Sequence, residues 1–95
     1  MAPETFPFDP AEHLSSPDAQ AELVADAFAT GDIGYITNAL GIVARARGMT
    51  QVASAAGVTR EALYKALAPD GNPRLSTLLG VAKALGLRIT AEAAR

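Results

Sequence analysis

Arg60, Glu61, Tyr64 and Lys65 are the residues whose types and spacing best suit chemistry, and that chemistry is recognition rather than bond-breaking. On a helix, positions i, i+1, i+4 and i+5 share one side, so a guanidinium, a carboxylate, a phenol and an ammonium stand together there. Arginine can donate two hydrogen bonds to one base edge and lysine supplies a charge for a phosphate. A carboxylate accepts from a cytosine amine or orients a neighbouring arginine. Catalytic sets are missing from the sequence. It has one histidine, His13, expected at the surface, with no cysteine, no glycine-rich phosphate loop and no metal-ligand spacing. An enzyme is therefore not expected, and neither a metal nor another cofactor is called for.

These four side chains need a short, firm helix, and residues 49–68, MTQVASAAGVTREALYKALA, supply it. Val52, Ala53 and Ala56 lie one helical repeat apart and end at Gly57, a residue type that accepts the left-handed conformation needed to stop a helix in one step. Thr59 follows as a hydroxyl N-cap with Glu61 in the first turn, and Ala62, Leu63, Ala66 and Leu67 form an apolar stripe. Two helices joined by a tight glycine turn are the helix-turn-helix unit, whose second helix enters the major groove of DNA. Ala53 is small where the helices cross, and Val52, Ala56, Val58, Leu63 and Ala66 take the buried positions.

The stretch resembles the phage-repressor (Cro/C1, or XRE) class of helix-turn-helix proteins. That resemblance implies base-reading contacts from Arg60, Glu61, Tyr64 and Lys65, and Thr50, Gln51, Thr59 and Arg74 complete the expected DNA-contacting set. One feature departs from the class. Many members carry Thr-Gln slightly earlier than Thr50 and Gln51 stand here, so the first helix reads as shorter and the phosphate contact usual for that glutamine is in question. An αα-hairpin with a glycine turn also occurs in bundles that never meet DNA, in which Arg60 and Glu61 would be a solvated first turn.

At 95 residues the chain makes one small domain with a short appendage, able to bury only about two thirds of its unfolded surface. Hydrophobic residues are 49% of it, but aromatic residues only 5%, which indicates closely packed, alanine-rich helices rather than a bulky core. Without cysteine there is no disulfide framework, and without a long apolar run or a signal segment a cytoplasmic location away from membranes is expected. The net charge of −2 hides a division. Residues 1–44 hold seven acidic side chains (Glu4, Asp9, Glu12, Asp18, Glu22, Asp26, Asp32) and no lysine or arginine, whereas residues 45–95 hold eight basic against three acidic, a net +5. Such asymmetry suggests two faces, one for a polyanion and one for a basic partner, with a merely solvated acidic face as the alternative.

The rest of the chain reads as an arm, three more helices and a strand. Residues 1–15, with three prolines and no periodicity, read as an extended arm, since proline removes backbone donors and favours extended backbone. Its Phe6, Phe8 and Leu14 need a surface, either the chain's own core or a partner. In residues 16–95, Ser16 and Pro17 open a helix with Leu23, Val24, Ala27 and Phe28 as its apolar face, stopped at Gly31. Asp32 caps the next, whose buried side is Ile33, Ile36, Leu40 and Val43. Arg45 and Arg47 fall in its last turn, where cations suit the dipole and phosphate is the other use open to them. Asn72 and Pro73 open a further helix burying Leu75, Leu78, Leu79, Ala82 and Leu85, with Arg74 and free backbone donors at its start. The tail LRITAE alternates, so Leu87 and Ile89 predict a short strand that pairs with a second chain, as a homodimer interface, or with a partner's edge.

Taken over residues 8–90, the chain resembles the addiction-module antidote proteins, HigA-like antitoxins of the XRE (Cro/C1-type) helix-turn-helix family. The matching phrases are FDPAEHL, GDIGYITNALGIVARARGMTQVASAAG, VTREALYKAL, the DGNP turn and VAKALGL, of which TREALYKAL followed by GNP is the most specific. The resemblance implies an all-α, five-helix helix-turn-helix fold. It also implies a RelE/HigB-like toxin partner, a small basic ribonuclease neutralised by direct binding, and repression of the shared operon through operator DNA. A basic toxin suits the acidic first half, so Phe6, Phe8 and Leu14 are the expected toxin anchors. A stand-alone repressor of the XRE type, with no toxin, is the alternative function.

Overall fold

The computed structural model describes residues 16–94. Among them are five helices, α1 (Pro17–Thr30), α2 (Ile33–Arg47), α3 (Met49–Ala56), α4 (Arg60–Ala66) and α5 (Leu75–Ala84). The arm, with Phe6, Phe8, His13 and Leu14, lies outside the described residues.

Each helix start expected from a hydroxyl or carboxylate cap before α5 has that cap in place. The Ala19 backbone N–H donates to Ser16 Oγ at 3.0 Å, that of Tyr35 to Asp32 Oδ1 at 3.0 Å, and that of Ala62 to Thr59 Oγ1 at 3.0 Å. Such caps satisfy donors that a helix cannot pair internally, each worth about 1 kcal/mol. Between α3 and α4, Gly57 sits at φ 77°, and the Val58 N–H donates to the Ala53 carbonyl at 3.0 Å. A residue with a Cβ pays about 1–2 kcal/mol in that conformation, so glycine sets the tightness of the turn.

The core is assembled from all five helices. Leu40 and Val43 of α2, Leu63 of α4, Val81 of α5 and Leu85 just beyond it are fully enclosed, joined by Val24, Met49 and Val52. Helix α1 packs on α2, α2 on α3, and α3 on both α4 and α5. The α3–α5 crossing is close because Gly80 faces the Ala56 carbonyl, which a Cβ there would approach to 3.2 Å. A polar clamp ties the ends together. Arg47 Nε donates to Oε1 of the buried Gln20 at 2.8 Å and its Nη2 donates to the Leu85 carbonyl at 3.0 Å, linking α1, α2 and the end of α5.

Three expectations need correction. Helix α5 begins at Leu75, after an extended Arg74, and not at Pro73, and it has no side-chain cap. Its buried stripe runs through Leu78, Val81, Ala82 and Leu85, so Leu75 and Leu79 lie to one side, 66% and 47% exposed; Ile33, in the first turn of α2, is likewise 56% exposed. The expected C-terminal strand is absent, since residues 87–94 carry no strand among the described residues. Strand geometry needs a ladder partner, and this chain offers the tail no free sheet edge. Leu87 instead packs against the core, with its N–H donating to the Ala82 carbonyl at 2.8 Å.

Candidate nucleic-acid interface

Helix α4 is anchored by Leu63, which is fully buried, with Ala66 half-buried behind it. That anchoring leaves Arg60, Glu61, Tyr64 and Lys65 exposed together on the opposite side. Within this group Arg60 and Tyr64 form a pair. Arg60 Nη2 donates to the Tyr64 hydroxyl at 3.4 Å, and the guanidinium carbon lies 5.4 Å from the ring centroid. Stacking a guanidinium on a phenol ring is favourable and holds a flexible side chain in one orientation. The hydrogen bond to Tyr64, with the nearby Glu61 carboxylate, raises the Arg60 pKa above its ordinary value. The group is therefore cationic at any working pH.

The remaining expected contacts spread around α4. Thr50 and Gln51 are exposed in the first turn of α3, with Gln51 Oε1 folded back so far that a Cβ on Gly48 would meet it at 2.8 Å. Thr59 is exposed, and although its oxygen accepts the cap bond its own proton remains free to donate. Arg74 is exposed just before α5. The DGNP turn returns the chain closely over the end of α4. A Cβ on Gly71 would overlap the Ala66 carbonyl oxygen and stand 2.9 Å from that of Lys65.

Two further features were not assembled from the sequence. A hollow of about 500 Å³ lies beside Tyr64, between α2 and the end of α4, with Asn38 and Arg45 on its wall. The signal was present as Gly34, Asn38 and Arg45, on one side of α2, but a glycine in a helix does not announce a cavity. Asp18, Glu22 and Asp26 are all exposed and four residues apart, which makes one acidic stripe along α1. The tail runs beside α1 and bounds a shallow groove containing Phe28, Leu87 and Ile89. Leu87 and Ile89 are each half-buried within the single chain. No cluster of potential metal ligands occurs among the described residues, and no helix among them is long and apolar enough to cross a membrane.

Comparison with known proteins adds what geometry alone does not. The chain is 41% identical over 95 residues to a protein of Haemophilus influenzae described as uncharacterized, covering 100% of this chain and 98% of that one. No solved structure matches it. Residues 4–93 match a family described as probable addiction module antidote protein. The chain therefore belongs to the probable addiction module antidote proteins, a family whose description implies a toxin as counterpart.

Proposed function

We propose that this chain is the antitoxin of a type II toxin-antitoxin module. It neutralises a small basic ribonuclease of the RelE/HigB type by direct binding in the cytoplasm, and it represses their shared operon by binding operator DNA as a homodimer. The observation that carries the reading is the antidote-family match over residues 4–93. Support for the DNA half comes from α4, where a tight glycine turn precedes a short helix that keeps a stacked Arg60 and Tyr64, with Lys65, free on its outer side. Support for the protein half comes from charge. The basic-free residues 1–44 include the exposed acidic stripe of α1, which suits an enzyme that must carry positive surface to hold RNA.

In this reading Arg60 reads a base edge with Glu61 orienting it, Lys65, Thr59 and Arg74 meet phosphates, and Thr50 and Gln51 flank them. Phe6, Phe8 and Leu14 anchor the toxin, and Leu87 and Ile89 lie at the dimer contact. The test is co-expression with the product of a small basic reading frame next to the gene. The expected result is that the neighbour alone arrests growth, and that this chain restores growth and co-purifies with it. An inert neighbour, or one that neither binds nor is silenced, would remove the antitoxin reading and leave a stand-alone repressor.

A further inference from the structure

We propose that the hollow between α2 and the end of α4 is a subsite for one sugar-phosphate unit of a DNA backbone, with Arg45 as its cation. This inference rests on the reading of α4 as a DNA-facing helix, and it assigns a second contact zone to a different helix.

The hollow, about 500 Å³, is walled by Asn38 and Arg45 of α2 and Tyr64 of α4, over an apolar floor of Met49, Leu67 and Pro69. The buried Gly41 lies one helical turn before Arg45. A Cβ there would lie 3.2 Å from Arg45 Nη1 and 3.6 Å from the Leu67 carbonyl oxygen, so the guanidinium folds back over a position with no side chain, beside the end of α4. The neighbouring arginine has a different fate. Arg47 spends its donors on Gln20 and Leu85, whereas Arg45 is exposed and makes no hydrogen bond or ion pair among the described residues.

Among the described residues no carboxylate lines the hollow, so the charge they give it is that of one cation and its matching ligand is a single anion. The Asn38 amide can donate. The Tyr64 hydroxyl, which already accepts from Arg60, keeps its own proton to donate. A phosphodiester fits this set because it carries one negative charge, offers only acceptor oxygens and is flanked by a deoxyribose whose C–H face suits the apolar floor. A bare inorganic anion would leave that floor uncovered. Tyr64 joins the two sites, since one side chain both steadies Arg60 and lines the hollow. The subsite thus sits one residue's width from the base-reading guanidinium.

The experiment titrates a random-sequence DNA duplex by fluorescence anisotropy over a salt series, with the full chain and two variants. Arg45→Gln keeps a donor and removes the charge. Its expected effect is a log-log salt slope smaller by about one per bound protomer and an affinity lower by roughly tenfold near physiological salt, with an unchanged melting temperature. Gly41→Ala should fold at least as well, because the crowded atom is the flexible end of Arg45, and should weaken binding by displacing that guanidinium. An Arg45→Gln slope equal to that of the unsubstituted chain overturns the subsite. A loss with Arg45→Gln that Gly41→Ala does not share also overturns it, since the arginine would then act away from the hollow. Absence of salt-dependent binding by the unsubstituted chain is a separate result, which overturns the DNA reading of α4 and this site with it.

Discussion

Arg45 and Arg47 stand two positions apart on α2 and differ in their bonding, which their neighbours decide. Arg47 bridges three elements through Gln20 and the Leu85 carbonyl. Arg47→Met, which keeps the stem and removes both bonds, is expected to cost about 2 kcal/mol, because a partly buried carbonyl loses a charged donor. In a domain of this size that lowers the melting temperature by roughly 8–16 °C. A urea or thermal melt checks it, and a variant as stable as the unsubstituted chain would mean that water replaces the clamp without loss. On α4 the same kind of argument separates Arg60 from Lys65. Arg60→Ala should weaken the preferred operator by roughly tenfold and relax preference at one base position. Lys65→Ala should weaken every sequence alike and lower the salt slope by about one. Competition binding with single-base operator variants distinguishes the two, and identical profiles would refute the division of labour.

At the scale of elements, the turns on either side of α4 decide where its outer face points. Gly71→Ala must move backbone, since the new Cβ meets main-chain atoms of Lys65 and Ala66 and not a flexible side chain. It should cost at least as much as Gly57→Ala, for which about 1–2 kcal/mol is expected from the left-handed conformation. Chemical denaturation of both variants ranks them, and a neutral Gly71→Ala would mean that the DGNP turn is looser than its contacts imply. The caps explain why so much of this was legible in the sequence. Ser16, Asp32 and Thr59 each mark a helix start through local hydrogen bonding, which needs no tertiary information. Asn72 and Pro73 carry the same kind of signal, yet α5 starts later, because the chain must first pass over the end of α4. Leu75 and Leu79 misled for a related reason. Leucine at helical spacing predicts a buried stripe, but which stripe is buried depends on how α5 rotates against α3, and Val81 took the inner position. Alternation in the tail predicted a strand that only a partner edge could complete. The hollow beside Tyr64 was invisible because its walls come from α2 and α4 together, and which faces of two helices meet is set by tertiary packing.

For the whole molecule, toxin neutralisation and operator binding call for two surfaces that work separately. The acidic stripe of Asp18, Glu22 and Asp26 lies on α1, and the cationic group lies on α4, which packs through α3 rather than on α1. Deleting residues 1–15 should therefore weaken toxin binding strongly and leave operator affinity nearly intact, as measured by titrating one truncated protein against both ligands. Toxin affinity that survives the deletion would move the toxin surface to the helices. A homodimer should bind an inverted repeat whose half-sites lie about 34–36 Å apart or a multiple of that. Sedimentation of a Leu87→Asp, Ile89→Asp variant tests whether the tail holds the dimer, and undiminished association would exclude it. The most direct test of the central claim is the affinity of the full chain for the DNA upstream of its own gene, compared with that of an Arg60→Ala, Lys65→Ala double variant. The account predicts salt-sensitive, sequence-preferring binding by the unsubstituted chain and its collapse in a variant that melts at the same temperature and still binds the toxin. Equal affinity of the two proteins for that DNA would contradict it.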